Sequence, residues 1–443
     1  MLIVYCHIIT PRLQYIVEFF SKELFEEPVR ITTDPNEFRQ YDGPRLNYSD
    51  GPLTDQEFFI KNTSLLFENN IEPQTIRCFE KNKYKAFFPT QGDWPFDILA
   101  ASFYLLSRYE EYLPHEKDMY GRYAHTNSLA FREGFLHIPL VNVWLEDFKK
   151  ALKEKFPGIQ FRRGQFKCAL SYDIDIAYSY LEKGFVRTAG GFARSILQGK
   201  WYEVRDRWQV LRRRKRDPYD CFEWLDALHL YCRLKPYFFF LVARSTSKYD
   251  KNINPDSKLL QNLISYYASS YKIGLHPSWQ SGDEEGLLHE EREWLEVIAD
   301  KKIIRSRQHF IRFTLPYTFR NLINAGIQKE FSMGYGTING FRASVCSSFA
   351  WYDLEQEKKT PLLLYPFCFM DANAYYEQKL TPGQAYNELM MYYEQVKKLK
   401  GVFISVWHNF ILGTDRQFAG WRDMFELFMK ENVYWDAYYD EEV

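Results

Sequence analysis

The chain has no long uncharged apolar run. Nowhere do about 18 such residues follow one another, so a membrane-spanning helix is not expected. It also has no CxxC pair: seven cysteines, Cys6, Cys78, Cys168, Cys221, Cys232, Cys346 and Cys368, are scattered, mostly among apolar neighbours. An odd, dispersed set offers neither a thiolate metal knot nor a disulfide framework, and it reads as reduced core thiols in a cytoplasmic protein. Charge of one sign is lacking too. With 57 basic and 58 acidic residues the formal net charge is −1, and the overall balance does not point to nucleic acid or an anionic surface. The opening stretch, MLIVYCHIITPRLQYIVEFF, has no basic leader segment; it predicts a strand over residues 2–9 and a helix opening at Pro11. Internal repeats and low-complexity tracts are absent.

Aromatics are plentiful. The 33 Tyr and 37 Phe lift aromatic content to 18%, which suits both wide cores and sugar-stacking surfaces, with core packing the plainer reading. A length of 443 residues suggests two or three domains. Residues 1–160 are expected to form a smaller α+β domain, with short strands near 64–67 and 84–88. In FDILAASFYLLSRYEEYL, Ile98, Ala101, Leu105 and Tyr109 recur at helical spacing. From Phe166 the pattern becomes strands alternating with helices: KCALSYDID, PYFFFLVA, KIGLHP, KIIRSRQHF, FSMGYG, PLLLYPFCFM and GVFISVWHN read as strands. Near-continuous apolar strands between helices imply a parallel sheet covered by helices. About seven such units predict a deformed (β/α) barrel, closed or nearly closed, over residues 161–443. One basic run, VRDRWQVLRRRKRDPYD, suits an anionic glycan or a lipid phosphate; a solvated helix face is the simpler reading.

The polar exceptions are more informative. KCALSYDIDIAYSY begins as a buried strand and then places Asp173 and Asp175 in line with it. Charge in a core strand is expensive unless something pairs with it. Residues i and i+2 of a strand point to the same side, so both carboxylates can enter one space. His276 follows the strand KIGLH, Arg307 and His309 end SRQHF, and His408 ends FISVWH. In an α/β barrel the C-terminal strand ends share one face, so four strands deliver these six side chains to one bowl. Carboxylate and neutral imidazole are suitable ligands for zinc and related divalent ions. One Asp with two His meets the three-ligand requirement of a catalytic zinc, a second Asp can take a proton from activated water, and a further His can protonate a leaving group. The plainer alternatives are helix-capping aspartates and packed core histidines, the class to which His7, His115, His125, His137, His229 and His289 are assigned.

These stretches resemble the polysaccharide deacetylase (NodB-homology) superfamily, carbohydrate esterase family four and its relatives, over about residues 165–412. LSYDID stands where that family has a TFDDGP-type motif, LHPSW where it has HxxxH, SRQHF where it has an Arg–Pro motif, and FISVWHN where a strand ends in a catalytic His. FDILAASFYLLSRYEEYL, SRQHF, SMGYG, GFRAS and VWHN also resemble a bacterial subfamily that fuses an extra N-terminal domain to this unit. The resemblance implies a metal-dependent deacetylase acting on an acetylated saccharide or glycan precursor. Asp173 would be the base, His408 the acid and Arg307 the group that orients the base. Asp175 and His276 would bind a divalent ion, zinc or else nickel or cobalt. Gln280 stands four residues after His276, where the family has its second His; His309, from the adjacent strand end, is expected to replace it on geometric grounds. The DxD spacing leaves open which Asp is ligand and which is base. For substrate, Arg342 of GFRAS, Trp279 and Asp371 of FMDAN are candidates. Arg342 and Trp279 also suit structural roles, and Asp371 also suits backing a His or capping a helix. The missing His leaves a second reading, a catalytically degenerate relative that binds glycan or a protein partner without turnover.

Overall fold

The structure, a computed structural model, describes residues 1–284 and 286–433. In the N-terminal region, strands β1 (Ile3–Tyr5), β2 (Arg30–Thr32), β3 (Arg45–Ser49) and β4 (Phe58–Lys61) form a sheet in the order β2-β1-β3-β4. All its pairings are parallel, which differs from the expected α+β layout. The helices Pro11–Leu24 and Pro35–Gln40 carry the chain back between β1 and β2 and between β2 and β3, and the loop 50–57 returns it from β3 to β4. The first helix starts where the sequence predicts: Thr10 caps it by accepting from the Leu13 N–H, and Pro11 needs no hydrogen-bond acceptor there. The expected strand near 64–67 is instead a 3₁₀ turn, Leu65–Phe67. Strands β5 (Phe79–Lys81) and β6 (Tyr84–Ala86) make a separate hairpin. The helix Ile98–Leu106 is buried along its whole length and is capped by Asp97.

The second sheet contains β7 (Lys167–Ile174), β8 (Tyr237–Leu241), β9 (Lys272–His276), β10 (Arg305–Ser306), β11 (Lys329–Glu330), β12 (Phe349–Asp353), β13 (Lys358–Leu364), β14 (Phe369–Met370) and β15 (Val402–His408). Their order is β12-β13-β11-β10-β9-β8-β7-β15-β14, parallel except for the β12–β13 hairpin. Among the described residues the sheet does not close, contrary to the barrel expectation. The reason is local: β13 pairs with β11 on one edge and with antiparallel β12 on the other, leaving no edge for β14.

The sheet nevertheless curls strongly. Arg307 follows β10, three strands from β7, a span of about 14 Å on a flat sheet at the usual strand spacing. Its Nη1 lies 2.8 Å from Asp173 Oδ1, at the end of β7. Aromatic rings fill the concave side: Phe331 stacks on Tyr365 at 4.6 Å and meets Phe239 at 5.2 Å. FSMGYG, expected as a strand, is irregular beyond β11. Gly334 lies there against the Phe367 ring, where any Cβ would collide.

Candidate metal centre

Strand β7 is buried over its last six residues and brings Asp173 to the rim at 2% exposure. Asp175, one residue past the strand, is partly exposed. The neighbouring strand ends supply the rest. His276 ends β9, His309 follows β10 by three residues and His408 ends β15; all three are buried.

Each imidazole has one nitrogen fixed by an acceptor. His276 Nδ1 lies 2.5 Å from the Arg307 carbonyl oxygen. His309 Nδ1 lies 2.9 Å from Asp250 Oδ1, and His408 Nδ1 lies 2.6 Å from Asp371 Oδ1. A carbonyl or carboxylate oxygen can only accept, so each Nδ1 carries the hydrogen and each neutral ring presents the Nε2 lone pair at its far end. All three lone pairs converge on one carboxylate. His276 Nε2 is 3.0 Å from Asp175 Oδ1, and the Nε2 atoms of His309 and His408 are each 3.6 Å from Asp175 Oδ2. Asp175 Oδ1 has no hydrogen-bond partner although it is buried.

Lone pairs facing a carboxylate repel one another unless a proton or a cation lies between them. Ligand atoms of Asp175, His276 and His309 all fall within 4.8 Å of one another, a set that can hold a metal ion. One carboxylate and two Nε2-presenting imidazoles, with second hydrogen bonds behind each ring, match the donor chemistry of a divalent site. Four carboxylates (Asp173, Asp175, Asp250 and Asp371) meet here with one guanidinium, which leaves negative charge for a cation to balance.

The electrostatics follow from these contacts. Burial alone would raise the Asp175 carboxyl, but the His309 and His276 rings hold it well below the usual carboxylate range. Burial alone would lower His309 and His408. Asp175 and Asp250 bring His309 up to about 9, and Asp371, with Asp175 and Asp173, does the same for His408. Burial raises Asp371 itself. Asp173 is held by Arg307, whose Nη2 also donates to Ser171 Oγ at 2.8 Å and whose Nε donates to the Phe331 carbonyl at 3.1 Å.

The three candidates for substrate contact take up the structural alternatives that the sequence also offered for them. Asp371 is fully buried and accepts from both the Nδ1 and the backbone N–H of His408, so it backs that ring and has no surface for substrate. Arg342 is 1% exposed. Its Nε and Nη2 form a fork on Glu111 at 2.8 and 2.6 Å, and Nη1 donates to the Gly334 carbonyl, which is a structural role. Trp279 lies near the site, but its ring is sandwiched: Tyr249 stacks on it at 3.9 Å and the Arg312 guanidinium lies 4.4 Å from its centroid. With both faces covered it cannot stack on a sugar ring.

Asp250 was not anticipated. It sits nine residues beyond β8 and accepts from His309 Nδ1, from the Trp279 N–H at 2.9 Å and from Ser247 Oγ, tying three rim loops together. An aspartate in the loop after a strand that ends at this rim was the available signal. Gln280, in the place of a second His, opens a short 3₁₀ turn, Gln280–Gly282. A separate cleft of about 1020 Å³, lined by Phe25, Glu26, Arg45 and Phe161 among others, includes none of the residues of this centre.

Residues 2–157 match a family described as "Family of unknown function (DUF7033)". No curated protein matches the chain. Among solved structures the chain is similar to a protein from Mycobacterium smegmatis assigned as a polysaccharide deacetylase, at 14% identity over 62% of this chain and 86% of that one, with a TM-score of 0.39. It is also similar to the polysaccharide deacetylase Bc1974 from Bacillus cereus, at 12% identity over 61% and 88% of the two chains, with a TM-score of 0.29.

Proposed function

We propose that this chain is a metal-dependent deacetylase acting on an acetylated saccharide or glycan precursor. In this reading the chain divides near residue 160: residues 1–160 brace the structure, and residues 161–443 carry the chemistry on a deformed, incompletely closed barrel. The observation that carries the reading is the convergence of three Nε2 atoms on Asp175, beside an aspartate paired with arginine.

Asp175, His276 and His309 would hold the cation, zinc being the ion that best suits one carboxylate and two imidazoles, with nickel or cobalt as alternatives. When bound, such a cation supplies a Lewis acid to the acetyl carbonyl and makes water a better nucleophile near neutral pH. Arg307 pairs with Asp173 and holds it aimed at the centre, so Asp173 takes the proton from the attacking water. Asp371 holds His408 through its Nδ1–H and favours the protonated ring, whose Nε2–H faces inward to protonate the departing amine or alcohol.

Elemental analysis of purified protein, joined to acetate release from a panel of N- and O-acetylated oligosaccharides, tests the proposal. Near-stoichiometric zinc, nickel or cobalt, and acetate release that both disappear in His276→Ala, are the expected results. A folded protein that takes up none of these ions, or a His276→Ala variant that keeps both metal and turnover, would sink it.

A further inference from the structure

Between β7 and the helix Phe222–Cys232 the chain makes an excursion of two helices, Gly184–Leu197 and Trp201–Leu211. It leaves from the end of β7 that carries Asp173 and Asp175. The first helix is amphipathic in the unusual sense. At 100° per residue, Phe185, Val186, Ala189, Ala193, Ile196 and Leu197 lie on one side, and that side faces solvent. Phe185 and Leu197 are each 87% exposed and Val186 is 82% exposed. The only buried residue of this helix is polar, Ser195, whose hydroxyl donates to Glu203 of the second helix at 2.8 Å. Gly191 leaves room for the Arg207 guanidinium, which lies over the Phe192 and Tyr180 rings. The pair is therefore joined through polar and small groups, and its apolar side is turned outward.

The second helix also turns apolar side chains outward. Trp201 is 66% and Trp208 50% exposed, and they share one side of the helix with Arg205 and Leu211. The segment is strongly basic: residues 184–216 contain ten Arg or Lys and two acidic residues, within a chain whose formal net charge is −1. Outward apolar side chains, tryptophans and a strongly basic composition are the features of a helix that lies in the interface of an anionic bilayer. A second copy of the chain is a poor occupant of this face, because a self-complementary contact would bring ten basic groups against ten.

We propose that the helical pair 184–216 docks the protein reversibly on the surface of an anionic phospholipid bilayer, with Phe185, Leu197 and Trp201 entering the interface and Arg205 and Arg212–Arg214 meeting the headgroups. This proposal stands independently of the deacetylase reading.

Cosedimentation of the full chain with vesicles tests it, using phosphatidylcholine alone and phosphatidylcholine mixed with phosphatidylglycerol. Binding to the mixed vesicles only, weakening as salt is raised, is expected. Replacing Phe185, Leu197 and Trp201 together by Ser should lower the partition coefficient by about tenfold or more, and reversing Arg212, Arg213 and Arg214 to Glu by about a hundredfold. Both variants change exposed positions, so an unchanged circular dichroism melt shows that the fold is intact. No binding to either vesicle, equal binding to both, or a solution dimer that the Ser variant converts to monomer would overturn the proposal.

Discussion

His309 combines an anchored nitrogen, a proposed ligand position and a raised pKa, and these make opposite demands. In metal-free protein the ring keeps its proton up to about pH 9, held by Asp175 and Asp250 against the effect of burial. A cation must displace that proton, so metal affinity is expected to rise with pH and to level off above about 9. Calorimetric titration of zinc in two buffers of different ionisation enthalpy at pH 7 would count the released proton; a count of zero would contradict this. Stability of the metal-free protein runs the other way. A folded-state pKa above the unfolded value of about 6.5 gives stability that is complete below about 6.5 and lost as pH rises through 9. The rise in Tm on adding zinc should therefore grow across that window. His408 offers a second test. Replacing Asp371 with Asn removes the carboxylate that raises the ring to about 9. In the proposed role of general acid the ring works while protonated, so the alkaline limb of the pH–rate profile should move to lower pH. A 10- to 100-fold loss of kcat, about the usual effect of losing such a supporting carboxylate, should accompany it, with metal content unchanged. At this scale the sequence was legible where chemistry followed strand ends: Asp173, Asp175, His276, Arg307, His309 and His408 all come together. Asp250 lay too far past its strand for that register, and no pattern of residues reveals that the faces of Trp279 or the donors of Arg342 are already taken.

The long elements were readable from periodicity and the short ones were not. The helices Pro11–Leu24, Leu140–Lys155 and Pro382–Lys398 show apolar residues at helical spacing over three turns or more, and the last carries a capping box of Thr381 and Gln384. Strands β10 and β11 have two residues each, too few for any alternation to register. What stabilises that part of the sheet is a buried side chain. Glu330 of β11 is fully buried and accepts hydroxyl hydrogen bonds from Ser306 of β10 and from Ser332. Burial pushes its carboxyl up to about 7. A folded pKa above the unfolded value of about 4.5 means a contribution to stability that is complete below about 4.5 and lost as pH rises through 7. Glu330→Gln keeps the shape and removes the titration. The Tm of the natural protein should fall relative to that of the variant between about pH 5 and 8; a constant difference across that range would show that Glu330 does not titrate there. Beyond β10, the consecutive left-handed residues Phe310 (φ 58°) and Ile311 (φ 55°) reverse the chain directly after His309. Such backbone costs on the order of 1–3 kcal/mol per residue and persists only where neighbours impose it. Arg122 from the N-terminal region is one of those neighbours, donating to the Phe310 carbonyl.

Two units in sequence need not be two units in stability. One continuous apolar cluster runs from Leu2 to Val433 and takes residues from both sheets. Buried ion pairs cross the same boundary. Arg12, in the first helix, pairs with Glu357 of the turn between β12 and β13. Glu111 accepts from Arg108 of its own region and, through both carboxylate oxygens, from Arg342 on the far side. Burial alone would raise the Glu111 carboxyl, yet Arg342 and Arg108 lower it to about 2. It is therefore charged at any physiological pH, and its stabilisation is lost only as pH falls from about 4.5 through 2. Replacing Glu111 with Ala would strip Arg342 of its carboxylate and leave Arg108 with Glu110 alone, both guanidiniums being about 1% exposed. The expected cost is on the order of 3–5 kcal/mol, felt by the whole molecule because the pair joins its halves. Chemical denaturation should show one cooperative transition in the natural chain and one in Glu111→Ala, shifted to lower denaturant, whether it is followed by tryptophan fluorescence or by circular dichroism. A variant in which residues 1–160 melt first, while the rest keeps its midpoint, would mean that the interface is a contact between independent domains rather than part of a single core.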